Sequence, residues 1–201
     1  YSVKPSVFPV ALLEAADAMT MIREHAAEWH VDPDAIAVIG FSAGGHLAAN
    51  LATSTSDDVL VAHGYDPDAV RPNGLMLAYP VITSGPLAHR GSFDSLLGER
   101  RNDSQALESV SIERHIDAKT PPVFAWHTVP DETVPYENTL MLIDACKKAG
   151  VSIEAHLFPQ GGHGLSLGTA ETAWQGVNGI EPSIQIWPQL AVSWMRRTFA
   201  R

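Results

Sequence analysis

A serine hydroxyl attacks a carbonyl only when a base takes its proton and a donor stabilises the charge that forms. Ser42 lies in Gly40-Phe41-Ser42-Ala43-Gly44, the pattern G-x-S-x-G. The short apolar run Ala35-Ile36-Ala37-Val38-Ile39 precedes it and reads as a buried parallel strand. Leu47, Ala48, Leu51 and Ala52 follow at helical spacing. A glycine-rich turn with an incidental serine is the competing reading. The strand-turn-helix context favours a nucleophile elbow. Such a turn strains the serine backbone and needs small neighbours, here Gly40, Ala43 and Gly44. The N–H of Ala43 would sit at a helix N-terminus, where an oxyanion can be held.

Nine histidines compete as the base. In a parallel sheet, functional side chains lie beyond the C-terminal ends of strands. His163, in Pro159-Gln160-Gly161-Gly162-His163-Gly164, meets that condition just after the last apolar strand. His127 ends the strand before it and is the strongest rival, while His46 reads as structural. A carboxylate must orient the base. Asp131 follows the His127 strand in Pro130-Asp131-Glu132-Thr133-Val134-Pro135. Taken alone, Asp131 reads equally well as a turn or capping aspartate. The order Ser42, Asp131, His163, each just after a strand, makes coincidence a poorer account. No spacing matches H-E-x-x-H, which argues against a metal hydrolase.

The elements that must position these residues follow from periodicity. A helix is expected over 10–29, the nucleophile helix to about Thr53, and a polar connection over 54–73. Strands are expected over 74–80, 123–127 and 152–158. A helix over 136–148 turns Tyr136, Leu140, Ile143 and Cys146 inward, and a closing helix runs over 187–199. Strands alternating with helices imply a parallel sheet. About forty residues separate the second and third strands, which is long for a connection. Residues 82–120 are therefore read as a cap or rim insertion.

The chain has 201 residues, 45% hydrophobic and 18% charged, with mean hydropathy near zero. That fits one domain over 1–201. A net charge of −10 argues against nucleic-acid binding, which needs a basic footprint. No apolar run is long enough for a membrane span. The single cysteine, Cys146, rules out an intrachain disulfide and reads as a small core residue. The expected location is cytoplasmic, with secretion left open.

Gly40 through Ala48, His127 through Pro135 and Gly161 through Leu165 together resemble the α/β-hydrolase family. Within it they resemble bacterial esterases of the acetyl-xylan-esterase and hormone-sensitive-lipase-like branch. Tyr1-Ser2-Val3-Lys4-Pro5 with Phe8-Pro9 resembles a segment that precedes the nucleophile helix there, departing at Ser2 and Lys4. The resemblance implies a three-layer α/β-hydrolase fold with a mostly parallel sheet. It implies an acyl-enzyme on Ser42, with His163 as base and Asp131 orienting it, and no cofactor. The partner would be a small-molecule ester, such as an acetyl ester of a carbohydrate. A serine peptidase, an aryl-formamide hydrolase and a non-catalytic hydrolase-like module are the alternatives. The family takes a second oxyanion donor from an H-G-G-G-type loop, and this sequence has none. N-terminal strands of the fold are expected to be missing, and the surface they leave would favour a homo-oligomer.

Overall fold

A computed structural model describes residues 8–174 and 178–200. The resemblance at Tyr1 to Pro5 lies outside the described residues. Four strands form one sheet: β1 (Ala37–Phe41), β2 (Gly74–Ala78), β3 (Val123–Thr128) and β4 (Ile153–Phe158). They pair in sequence order, and every pair is parallel. The helices are α1 (Val10–Glu24), α2 (Ala43–Ala52), α3 (Asp57–Ala62) and α4 (Pro67–Val70). Then come α5 (Arg90–Leu97), α6 (Ser104–Ser109), α7 (Glu137–Ala149) and α8 (Trp187–Thr198).

Strand alternation divides the core into two faces. Leu75 and Leu77 of β2, with Val123 and Ala125 of β3, meet α2 and α7 through Ala48, Ala52, Leu142 and Cys146. Met76, Ala78, Phe124 and Trp126 face the other way and pack on Trp187, Ala191 and Trp194 of α8. The result is three layers, and α1 packs against α2 and the start of β1 through Leu12, Ala16, Met19, Ile36 and Leu51. Both central strands are buried along their whole length, whereas β1 and β4 are sheet edges. Ile39 on β1 and Leu157 on β4 are correspondingly exposed.

Several expected elements shift. The first helix stops at Glu24, and residues 25–30 are turns. The polar connection over 54–73 contains α3 and α4, because Leu60 and Val70 bury against α1. Helix α7 turns Asn138, Thr139, Leu142 and Cys146 inward, while Leu140 is exposed. Cys146 is a buried core residue, and burial pushes its thiol pKa up to about 12. Segment 82–120 carries α5 and α6, and Phe93, Leu97, Ala106 and Val110 gather there with Val81 and Val134. No helix among the described residues is long and apolar enough to cross a membrane.

Candidate active site

Ser42 stands between the end of β1 and the start of α2 with φ 53° and ψ −121°. That is left-handed backbone for a residue with a side chain, a strain of roughly 1–3 kcal/mol. The surrounding structure holds it there. Ser42 N–H donates to Ala78 O at 3.0 Å, and Ser42 O accepts from His46 N–H and Val81 N–H at 3.2 Å each. The turn also depends on close approach. A Cβ on Gly40 would lie 2.2 Å from Gly44 O, and one on Gly45 would lie 3.0 Å from the Pro80 Cβ. Gly44, expected to be sterically required, is not: a Cβ there would meet nothing within 4 Å. Ala43 opens α2, so its N–H is among those a helix leaves without an intrahelical partner.

The three expected residues come together although they lie far apart in sequence. Ser42 Oγ is 2.7 Å from His163 Nε2, and His163 Nδ1 is 2.7 Å from Asp131 Oδ2. An ionised carboxylate can only accept, so the proton on that side belongs to Nδ1. Nε2 is then the acceptor for the Ser42 hydroxyl. Asp131 is held just beyond β3, where its Oδ1 accepts from Thr133 N–H and Val134 N–H at 2.9 Å. Burial opposes its ionisation. Hydrogen bonds from His127, His163 and the Val134 N–H outweigh burial and keep the carboxyl well below the usual carboxylate range.

His127, the rival base, meets the same Asp131 oxygen as His163 and is fully buried. Its Nδ1 is 2.8 Å from Thr139 Oγ1, and its Nε2 is 2.9 Å from Val134 O and 3.3 Å from Asp131 Oδ2. Both neighbours of Nε2 accept, so Nε2 carries the proton and the Thr139 hydroxyl donates to Nδ1. The geometry therefore gives His127 to the carboxylate rather than to the serine. Glu132 is exposed. His46 is buried, with Nε2 on Val110 O at 2.8 Å and Nδ1 on the Asn50 amide at 2.9 Å.

Residues that sequence reasoning did not single out complete the surroundings. Thr128 Oγ1 donates to Gly162 O at 3.1 Å, next to His163. The Tyr79 ring meets the imidazole edge to face, with centroids 4.9 Å apart. Placement of Thr128 at the end of β3 was the available signal. Nothing in the sequence pointed from Tyr79 to a histidine 84 positions away.

Known proteins share this architecture. A family model described as BD-FAE matches residues 2–145, which include Ser42 and Asp131. The chain belongs to the BD-FAE family. Among curated proteins, this BD-FAE chain is 34% identical over 167 residues to endo-1,4-beta-xylanase B of Butyrivibrio fibrisolvens. That match covers 82% of this chain and 26% of the relative. It is 30% identical to an acetylxylan esterase of Xylanibacter ruminicola, covering 74% of this chain and 30% of the relative. The chain thus spans about a third or less of these two relatives. Among solved structures, it is similar to an acetyl ester-xyloside bifunctional hydrolase from Caldicellulosiruptor lactoaceticus, with 36% identity and a TM-score of 0.79. That likeness covers 96% of this chain and 68% of the neighbour. A carboxylesterase from Lactobacillus plantarum WCFS1 is 29% identical with the same TM-score of 0.79, covering 96% and 69%. The BD-FAE chain has the α/β-hydrolase fold, a parallel sheet flanked by helices.

Proposed function

We propose that this chain carries the catalytic unit of a serine esterase that cleaves short-chain carboxylic esters, acetyl esters of carbohydrates in particular. The observation that carries the reading is the unbroken hydrogen-bonded chain from Ser42 Oγ through His163 to Asp131. Ester chemistry is favoured by relatives named acetylxylan esterase and carboxylesterase. The carbohydrate half of the proposal draws on the acetylxylan esterase and the acetyl ester-xyloside hydrolase.

Ser42 Oγ attacks the ester carbonyl as its proton passes to His163 Nε2. The carbonyl oxygen becomes an oxyanion, and the Ala43 N–H at the start of α2 donates to it. Collapse breaks the bond to the alcohol, which leaves with the proton from His163. An acyl-Ser42 remains. Water attacks it while His163 takes a proton, and the acid departs as that proton returns to Ser42. Asp131 stays ionised throughout and balances the imidazolium. Residues 82–120 would form a cap or rim over this site within a single domain.

The test is labelling with a fluorophosphonate, followed by peptide mapping, on the wild type and Ser42→Ala. Label on Ser42 alone, lost in the variant, is the expected result; a folded protein that takes no label at Ser42 overturns the nucleophile. A panel of acetyl ester, aryl formamide and peptide at equal concentration then tests the substrate class. Faster turnover of formamide or peptide than of the acetyl ester overturns esterase action.

A further inference from the structure

His163 sits in a segment rich in glycine. Gly161, Gly164 and Gly168 all have positive φ, at 98°, 78° and 67°. Such a loop has little stiffness of its own. Catalytic geometry must nevertheless hold to within about 0.5 Å. Thr128 grips the loop one residue before His163. Three residues after it, Ser166 N–H donates to Tyr79 Oη at 3.1 Å, and Ser166 O accepts from the Trp187 indole N–H at 2.8 Å.

We propose that Tyr79 is a positioning residue for His163: its ring walls the imidazole, and its hydroxyl anchors the loop that carries it. The inference rests on the reading of Ser42, His163 and Asp131 as the catalytic group.

The backbone supplies the first argument. Tyr79 has φ 39°, left-handed for a bulky residue. Consecutive strand residues point to opposite faces, yet Ala78 and Tyr79 lie in the same core cluster. The unusual φ breaks the alternation and swings Tyr79 onto the face where the His163 loop lies. Its N–H is meanwhile pinned to Trp126 O at 2.8 Å. The hydroxyl supplies the second. Phe41 and Trp126 surround the ring at 5.9 and 5.0 Å, a setting that phenylalanine would fill equally well. Tyr79 is 4% exposed, so its hydroxyl needs a protein partner. That partner is the Ser166 N–H, and Ser166 is itself left-handed at φ 52°. Burial raises the phenol pKa, opposed by the Ser166 bond and joined by the charge of Asp131, so the oxygen stays neutral beside the carboxylate.

The experiment compares Tyr79→Phe and Tyr79→Leu with the wild type in the full-length protein. It reads kcat and KM on an acetyl ester, the thermal midpoint, and the downfield proton resonance of His163 Nδ1. Tyr79→Phe should lower kcat about tenfold with KM within about twofold, and should broaden the resonance by speeding exchange with water. Tyr79→Leu, which also loses the wall, should lower kcat about a hundredfold. Wild-type kcat and a sharp resonance in Tyr79→Phe overturn the proposal. So does a loss that only follows the thermal midpoint while the resonance of the folded protein is unchanged. Fluorophosphonate labelling separates the two levels: an unlabelled wild-type Ser42 overturns the catalytic group and the positioning role together. A labelled wild type with unaffected Tyr79 variants overturns only the positioning role.

Discussion

Asp131 shows how one side chain can be determined from every direction. Each of its oxygens accepts from more than one group, and all of these are donors: two backbone N–H groups on Oδ1, two imidazole N–H groups on Oδ2. Asp131→Asn therefore has no good orientation. If its oxygen keeps the two backbone donors, its NH2 faces His163 Nδ1 and pushes the ring proton to Nε2. That tautomer cannot accept from Ser42. The expected loss in kcat on an acetyl ester is about 10³–10⁴-fold. The same NH2 meets the His127 N–H, donor against donor, and the thermal midpoint should show about 1–3 kcal/mol of lost stability. Wild-type kcat in this variant would mean that Asp131 does not orient the base. Ser42, Asp131 and His163 were legible in the sequence because each follows a strand and two sit among glycines. Tyr79 was not, since its hydroxyl partner arrives through tertiary packing alone.

Where β1 meets α2, the two glycines of the motif have different physical roles. Gly40 lets the strand lie against the first turn of the helix. An added methyl would overlap Gly44 O at 2.2 Å and Gly45 Cα at 2.7 Å, all backbone and unable to swing aside. Gly40→Ala should cost about 1–3 kcal/mol or more and displace Ser42, lowering both the unfolding midpoint in urea and fluorophosphonate labelling. Gly44→Ala should instead gain roughly 0.5–1 kcal/mol in the same urea assay, because the helix there has room and alanine loses less backbone entropy. Equal effects of the two changes would refute the distinction. The pattern G-x-S-x-G marks both glycines alike, so the sequence could not separate them. The buried face of helix α7 departs from its hydrophobic pattern for a related reason. Hydrophobicity chose Tyr136 and Leu140 as inward, but Asn138 and Thr139 are buried because backbone and His127 need them. Asn138 Oδ1 accepts from Ile82 and Thr83 N–H, its Nδ2 donates to Leu87 O and Pro135 O, and Thr139 serves His127.

Across the whole molecule, the strand-helix alternation announced a parallel sheet, but it could not say how segment 82–120 is joined to that sheet. One joint is His46. Its Nε2–H donates to Val110 O, Asn50 donates to its Nδ1, and Phe93 meets the ring edge to face at 5.4 Å. The Asn50 oxygen is already taken by the Ser56 hydroxyl at 2.9 Å. A second ring proton on Nδ1 would thus point at an NH2 group that cannot simply flip. Burial lowers the His46 pKa from 6.5 to about 4, only partly opposed by the Val110 bond. The unfolded chain then binds a proton between those values that the folded chain refuses, so stability rises with pH across this window. The contribution is complete above pH 6.5 and lost as pH falls toward 4, on the order of 3 kcal/mol in all. Below that, Asp131 adds a loss of the same sign, because its folded pKa is also depressed and protonation favours the unfolded chain. Urea unfolding at a series of pH values should show the first loss in the wild type. It should be largely absent in His46→Gln, whose amide can still donate to Val110 O but does not titrate. A wild-type profile flat from pH 6.5 to 4 would mean that His46 accepts its second proton in place, and that the link between α2 and segment 82–120 is not sensitive to its charge.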